Sequence, residues 1–254
     1  MHDEQLLRYS RQIMLPEFDV AGQQKLLDAT VLVVGAGGLG SPVSLYLAAA
    51  GVGHLILVDD DEVELSNLQR QIVHREQSLG QAKVDSAAAT LAELNSGTKV
   101  TAVVQRMDDA SLDQWLTMDV DLVVDACDNF STRFMLNRGC VKHGKPLVSG
   151  AAIRMEGQVV VFDTRRPDSP CYQCLYRSGG DDEELSCSRN GVMAPVVGVI
   201  GVMQSLEVIK VLSGLGRDLC GRLLLFDGLD SQWRELRLKR DPDCEVCGHR
   251  PHGG

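Results

Sequence analysis

Read by the spacing of its hydrophobic positions, the chain alternates short β-branched runs with longer stretches of helical periodicity. Glu4 to Ile13 and Ala21 to Asp28 predict two short helices, an N-terminal helical arm over residues 1–28. Thr30 to Val34 is a β-branched run that enters Gly35-Ala36-Gly37-Gly38-Leu39-Gly40. An apolar helical stretch to Ala50 and a second strand, His54 to Val58, complete a βαβ unit. A helix over 81–94, strands over 99–104 and 122–125, a helix over 131–143 and a strand over 146–149 continue the alternation. The pattern predicts an α/β fold, a Rossmann-like doubly wound and mainly parallel sheet, over residues 29–150.

Beyond Gly150 the pattern changes. Strands over 157–162, 222–227 and 233–238 have less helix between them, which predicts an antiparallel extension of the same sheet in a second part, 151–248, ahead of a tail at 249–254. Tyr176 to Gly191, rich in Ser, Gly, Asp and Glu and without periodicity, reads as a mobile loop. The most apolar segment, Val196 to Leu212, is shorter than the roughly 20 residues of a membrane span. It also carries Gln204, Glu207 and Lys210, and reads as a buried helix.

Composition narrows the function classes. A formal charge of -10 opposes a non-specific nucleic-acid surface or an anionic membrane surface. Met1 to Ser10 carries charge where a signal peptide needs an apolar core, so a cytoplasmic protein is expected, with no nucleic-acid or membrane partner. Eight cysteines in a reducing compartment are read for metal binding and catalysis before disulfides.

The glycine turn between a strand and a helix lets backbone amides approach phosphates, and Asp59 at the end of the second strand stands where a carboxylate meets ribose hydroxyls. These two features alone fit an NAD-dependent oxidoreductase equally well. Ser66-Asn67-Leu68-Gln69-Arg70, Lys83 and Asp125-Ala126-Cys127-Asp128-Asn129 are not needed by NAD. A triphosphate attacked at its α-phosphorus needs cations and a carboxylate for Mg2+, roles that Arg70, Lys83 and Asp128 can fill. The alternative reading makes Arg70 and Lys83 solvated helix charges and Asp128 part of a helix cap.

Cys171-x-x-Cys174 and Cys244-x-x-Cys247 are two knuckles able to supply four thiolates to a closed, structural zinc site that ties the C-terminus to the body; a redox pair is the alternative. Cys187, beside Arg189 in the loop, is a candidate thiolate. Cys127, Cys140 and Cys220 read as packing residues, and the six histidines as surface or cap residues.

GAGGLG, LVDDDEVELSNLQRQ, GQAKVDSA, DACDNFSTR and GVMAPVVGVIG, in this order from about Leu7 to Gly248, resemble the E1-like superfamily of ubiquitin-activating enzymes, in particular its bacterial HesA/MoeB/ThiF branch. The resemblance implies a nucleotidyltransferase. It would use Mg-ATP to adenylate the C-terminal glycine of a ubiquitin-like sulfur-carrier protein ending in Gly-Gly, with release of pyrophosphate. Gly38, Asp59, Asn67, Arg70, Lys83 and Asp128 would bind Mg-ATP, together with Ser66, Leu68, Gln69 and Asn129 of the same motifs. Asp128 would hold the magnesium and be essential.

The resemblance also implies structural zinc on the four paired cysteines, and a homodimer in which Arg11 reaches the neighbouring subunit's triphosphate. Cys187 aligns with the loop cysteine that captures the activated carrier as a thioester or persulfide in some members. Ser149 to Gln158 resembles the molybdopterin branch, whereas Leu225-Phe226-Asp227-Gly228 and Ser231 to Arg234 resemble the thiamine branch; the molybdopterin carrier is the expectation. With no appended sulfurtransferase domain, the sulfur donor is expected to be a separate protein, a cysteine desulfurase or rhodanese-type enzyme.

Overall fold

The structure, a computed structural model, describes residues 1–176 and 190–249. Eight strands form one sheet in the order β3-β2-β1-β4-β5-β6-β7-β8. They are β1 Thr30–Val34, β2 His54–Asp59, β3 Lys99–Val104, β4 Leu122–Asp125, β5 Leu147–Ile153, β6 Glu156–Phe162, β7 Arg222–Asp227 and β8 Gln232–Arg237. The first five are parallel, and β6 to β8 are antiparallel, as the change in pattern after Gly150 predicted. Strand β5 runs past the expected end at Ser149 to Ile153, because its second half pairs with β6, Ala151 opposite Gln158 and Ile153 opposite Glu156.

The two faces of the sheet carry separate cores, as period-2 alternation requires. Val31, Val33, Leu55, Leu57 and Val124 face α4 (Gly40–Ala50), α5 (Lys83–Leu94) and α9 (Ala194–Ser213). Leu32, Val34, Ile56, Val58 and Val123 face α6 (Asp109–Thr117), α7 (Phe130–His143) and α8 (Tyr172–Leu175). Helix α6 was not expected from the sequence. It is started by a capping box, in which the Asp108 carboxylate accepts from Ser111 N at 2.7 Å, and it buries only Leu112 and Leu116 as large side chains.

Helix α9 is the buried helix that Val196 to Leu212 predicted. It is long and apolar enough to cross a membrane, yet half of that span is buried within the fold. Its interrupting polar residues face inward: Gln204 donates to the carbonyl of Asp125 at 2.7 Å, and Glu207 accepts from Leu219 N at 2.7 Å and Lys210 Nζ at 2.6 Å. The N-terminal arm holds three helices, α1 (Asp3–Arg8), α2 (Ser10–Ile13) and α3 (Asp19–Asp28). The single helix expected over 4–13 is broken at Tyr9, whose ring is buried and whose hydroxyl accepts from Asn95 Nδ2 at 2.9 Å. That anchor fixes the arm to the end of α5 at the cost of helical continuity.

Candidate functional site

Parallel strands order β2-β1-β4 places the topological switch between β1 and β4, where ligands of doubly wound sheets enter. A cavity of about 700 Å³ opens there. Its walls come from the glycine turn after β1, Asp59 to Asp61 after β2, Arg70 and Gln71, Lys83 at the start of α5, and Ala126 to Asn129 after β4. It continues past Ala151 to Ile153 on β5 as far as Phe226 and Arg234 on β7 and β8. Gly35 has φ of +100°, and a Cβ there would stand 2.6 Å from the carbonyl of Ala126; the sharp turn that aims α4 at the cavity therefore requires glycine.

Asp59 does more than was expected of it. Its carboxylate accepts from Ala36 N at 2.7 Å and from Asp61 N at 2.9 Å, which ties the glycine turn to the end of β2. Burial pushes its pKa up, against the opposing pull of Lys83 and of the two amides. Lys83 is 5% exposed and ion-pairs with the exposed Asp61 at 2.6 Å. Arg70 donates to the Ser66 carbonyl at 3.1 Å and to Asn67 Oδ1 at 3.3 Å, so Asn67 acts on the cavity by steadying Arg70. Ser66, Asn67, Leu68 and Gln69 do not line the cavity themselves, whereas Arg70 and Gln71, which follow them, do.

After β4 the alternative reading of a helix cap falls on Asn129. Its side chain accepts from Thr132 N at 2.9 Å and starts α7. Asn129 is therefore committed to the helix, and the exposed Asp128 carboxylate lines the cavity with no hydrogen-bond or ion-pair partner among the described residues. Behind it lies a buried polar network that the sequence does not announce. Asp125, fully buried, accepts from Ser149 Oγ at 2.5 Å and Cys127 Sγ at 2.7 Å, and Arg133 Nε stands 3.7 Å away. Arg133 also donates to the carbonyls of Cys127 and Gly150, joining the loop that carries Asp128 to the strand that carries Ala151. Burial and the Asp125 charge push the Cys127 thiol well up, which leaves it protonated and unreactive.

His74 was expected at the surface or in a cap and is instead 4% exposed beneath the glycine turn. A carbonyl can only accept, so the 2.9 Å contact to Ala36 O makes Nε2 the protonated nitrogen, and Nδ1 accepts from Ser86 Oγ at 3.0 Å. Burial first, then Lys83 and Arg75, lower its pKa below the ordinary 6.5. A histidine buried neutral contributes stability that is complete above the unfolded value and is lost as pH falls below it, because the unfolded chain then binds the proton that the folded one refuses. The thermal midpoint of the wild type is therefore expected to fall more steeply from pH 7.5 to pH 5.5 than that of His74→Gln, which has nothing to titrate. Parallel curves would rule out the neutral buried state.

Cys171, Cys174, Cys244 and Cys247 come together across the fold, all four Sγ atoms within 4.8 Å of one another. The Sγ–Sγ separations are 3.6 Å for Cys171 to Cys244, 3.4 Å for Cys174 to Cys247 and 4.0 Å within the first pair. A tetrahedron of bonds of about 2.3 Å has edges near 3.8 Å, so the donor set fits one zinc-sized ion. Asn137 of α7 ties the cluster to the sheet side, donating to Cys171 Sγ at 3.6 Å and accepting from Tyr172 N at 2.8 Å. Arg11, on α2, is exposed and lies outside its own chain's cavity; among the described residues its guanidinium meets only Met14 Sδ, at 4.0 Å. Cys187 and the carrier-capture expectation attached to it lie outside the described residues, as does most of the loop expected over Tyr176 to Gly191.

These features define a doubly wound α/β protein with a glycine-turn cleft at the switch point and a four-thiol cluster closing its C-terminal part. The chain belongs to the ThiF family, which matches residues 9–246. It is 50% identical over 248 residues to the molybdopterin-synthase adenylyltransferase of Escherichia coli K12, covering 98% of both chains. It is 48% identical over 251 residues to the mouse adenylyltransferase and sulfurtransferase MOCS3, of whose length it spans 54%. Among solved structures it resembles E. coli MccB with ATP, at 26% identity and a TM-score of 0.82, over 95% of this chain and 75% of that one.

Proposed function

We propose that this protein is an ATP-dependent adenylyltransferase that activates the C-terminal glycine of a ubiquitin-like sulfur carrier ending in Gly-Gly, in the cytoplasmic synthesis of molybdopterin. The observation that carries the reading is the pairing, in one cleft, of Arg70 and Lys83 with an Asp128 carboxylate that Asn129 leaves free by taking the helix cap. A nicotinamide oxidoreductase would leave all three without a task. The pathway rests on the relative of that name, 50% identical over nearly the whole chain.

The triphosphate would lie along the glycine turn, with Lys83 and Arg70 at its oxygens. Asp128 would hold magnesium, which supplies further neutralisation of phosphate charge. The carrier's tail, narrow because it ends in two glycines, would enter beside Ala151 to Ile153 and Phe226. Its terminal carboxylate attacks the α-phosphorus as the bond to pyrophosphate breaks, giving the acyl adenylate. The attacking group is already ionised, so no general base is needed, and catalysis is alignment and charge compensation. The first cation contributed from outside the chain would be the partner subunit's Arg11. A homodimer is supported by the exposed apolar residues beside that arginine, Leu7, Met14 and Leu15.

Zinc would occupy the four cysteines as a closed structural site with no open coordination position. Elemental analysis of the purified protein decides this, with iron or no metal as the outcomes against it. For the activity, ATP–pyrophosphate exchange is expected only when Mg2+ and a Gly-Gly carrier are both present, and faster with the molybdopterin carrier than with the thiamine-pathway carrier. Exchange with neither carrier would sink the proposal, and a preference for the thiamine carrier would move it to the other pathway.

A further inference from the structure

One cluster of aromatic rings joins the four-cysteine centre to the cleft. Helix α8 is a single turn, too short to be stable by itself, and it carries half of the thiol set, with Cys171 as its N-cap and Cys174 inside it. The buried ring of Tyr172 on that turn packs edge-on to Phe134 at 5.4 Å and to Phe162 at 5.9 Å between centroids, and against Tyr176 at 4.9 Å. Tyr176, two residues after Cys174, closes the turn by donating its amide to the Tyr172 carbonyl at 3.0 Å. Its ring meets Phe130 edge-on at 5.9 Å, and its hydroxyl donates to Gln158 Oε1 at 2.8 Å.

Phe130, Gln158 and Tyr176 all line the cleft. Gln158 lies on β6, opposite Ala151 of β5 and Leu225 of β7. In the sheet, β6 is three strands from β1, about 14 Å at the usual spacing, so this wall stands apart from the glycine turn that follows β1. It borders the stretch beside Ala151 to Ile153 through which a carrier tail would pass. A tail of two glycines offers only its backbone to recognition, and a flat ring is a surface that a backbone without Cβ atoms approaches closely.

We infer that Tyr176 is a carrier-tail residue whose place is set by the four-cysteine centre, so that metal loading of the cysteines and binding of the tail favour one another. The inference rests on the adenylyltransferase reading for the identity of the tail. Ligation would fix Cys171 and Cys174 against Cys244 and Cys247, each 73 residues further on, and with them the turn that carries Tyr176. Such a linkage is reciprocal: the factor that metal adds to carrier affinity is the factor that carrier adds to metal affinity.

The test is competition of the zinc-loaded full chain with a chromophoric chelator, with and without saturating molybdopterin carrier. Bound carrier is expected to raise the zinc affinity by about tenfold, an ordinary coupling between two sites. Tyr176→Ala keeps all four thiols and its zinc, but the carrier should no longer change its zinc affinity. In pyrophosphate exchange its KM for the carrier should rise by the same factor while its KM for ATP stays at the wild-type value. Tyr176→Phe loses only a neutral hydrogen bond and should fold as the wild type does, with a carrier KM about two- to tenfold higher.

A purely structural tyrosine would behave otherwise: Tyr176→Ala would then hold zinc more weakly by the same factor with and without carrier, and both KM values would move together. That result overturns the inference. Should Tyr176→Ala fail to fold, a wild-type carrier KM in Tyr176→Phe overturns it instead. Carrier that does not bind the wild type at all sinks the reading of the cleft, whereas carrier that binds and leaves the zinc affinity unchanged sinks the linkage alone.

Discussion

Asp128→Ala is expected to lower carrier-dependent ATP–pyrophosphate exchange by at least a hundred- to a thousandfold, the scale on which loss of one preorganised electrostatic group slows a charge-building step. The fold should not notice the change. Asp128 is exposed, has no partner among the described residues, and does not cap α7, which Asn129 starts. Substitutions at such positions usually stay within about 0.5 kcal/mol. Asp128→Asn, which preserves shape but not charge, should be nearly as slow. Exchange at the wild-type rate in either variant would remove Asp128 from the reaction, and a large drop in melting temperature would make the kinetic result uninterpretable in these terms; the structure forbids the second outcome.

Arg11→Ala is expected to be as severe, for a different reason. An arginine that reaches a triphosphate across a subunit boundary acts as an arginine finger does, and its loss costs on the order of a thousandfold or more. Arg11 lies outside its own cavity, exposed and with no carboxylate partner among the described residues, so nothing among them accounts for a role in catalysis within the single chain. Mixing inactive Arg11→Ala and Asp128→Ala homodimers under conditions of subunit exchange should restore activity. Random pairing makes about half the dimers mixed, each with one complete site of two, so recovery approaches about a quarter of wild type. If exchange of subunits is verified by mass and activity stays at the level of the separate variants, the arginine does not act across the interface.

Much of this arrangement could be read from local spacing, because the decisive signals are local. A β-branched run entering GAGGLG has one common structural solution, and the two Cys-x-x-Cys pairs name a four-thiol centre although their halves lie 73 residues apart. What escaped was set by distant partners. Helix α6 is short, with two leucines on its buried side, and only the Asp108 to Ser111 box marked it. Strand β5 continues through Gly150 because β6 pairs with it, and a Cβ at Gly150 would meet the Gln204 amide at 2.3 Å, a clash no local pattern encodes. The buried contacts of Asp125, Arg133 and Gln204 are likewise non-local: Gln204 donates to the carbonyl of Asp125 and Arg133 to that of Cys127, pairings that no local spacing encodes. His74 escaped for the same reason. Its partner is a carbonyl 38 residues earlier.

The reversal of strand direction after β5 decides what size of substrate the cleft can serve. A parallel neighbour must be reached by a crossover of a dozen or more residues, normally a helix laid over the sheet, whereas an antiparallel neighbour needs only a turn. Strands β7 and β8 are joined in the second way, so the chain lays no helix between them, and all six residues of β8 are exposed. Trp233 and Leu236 on that strand and Leu229 in the turn before it are 41%, 49% and 77% exposed. An enclosed vault would admit metabolites and refuse proteins. Here the cavity runs from the glycine turn to Arg234 on that exposed strand, so under the proposed function a globular carrier would rest against the strand while only its last residues are threaded to the phosphates.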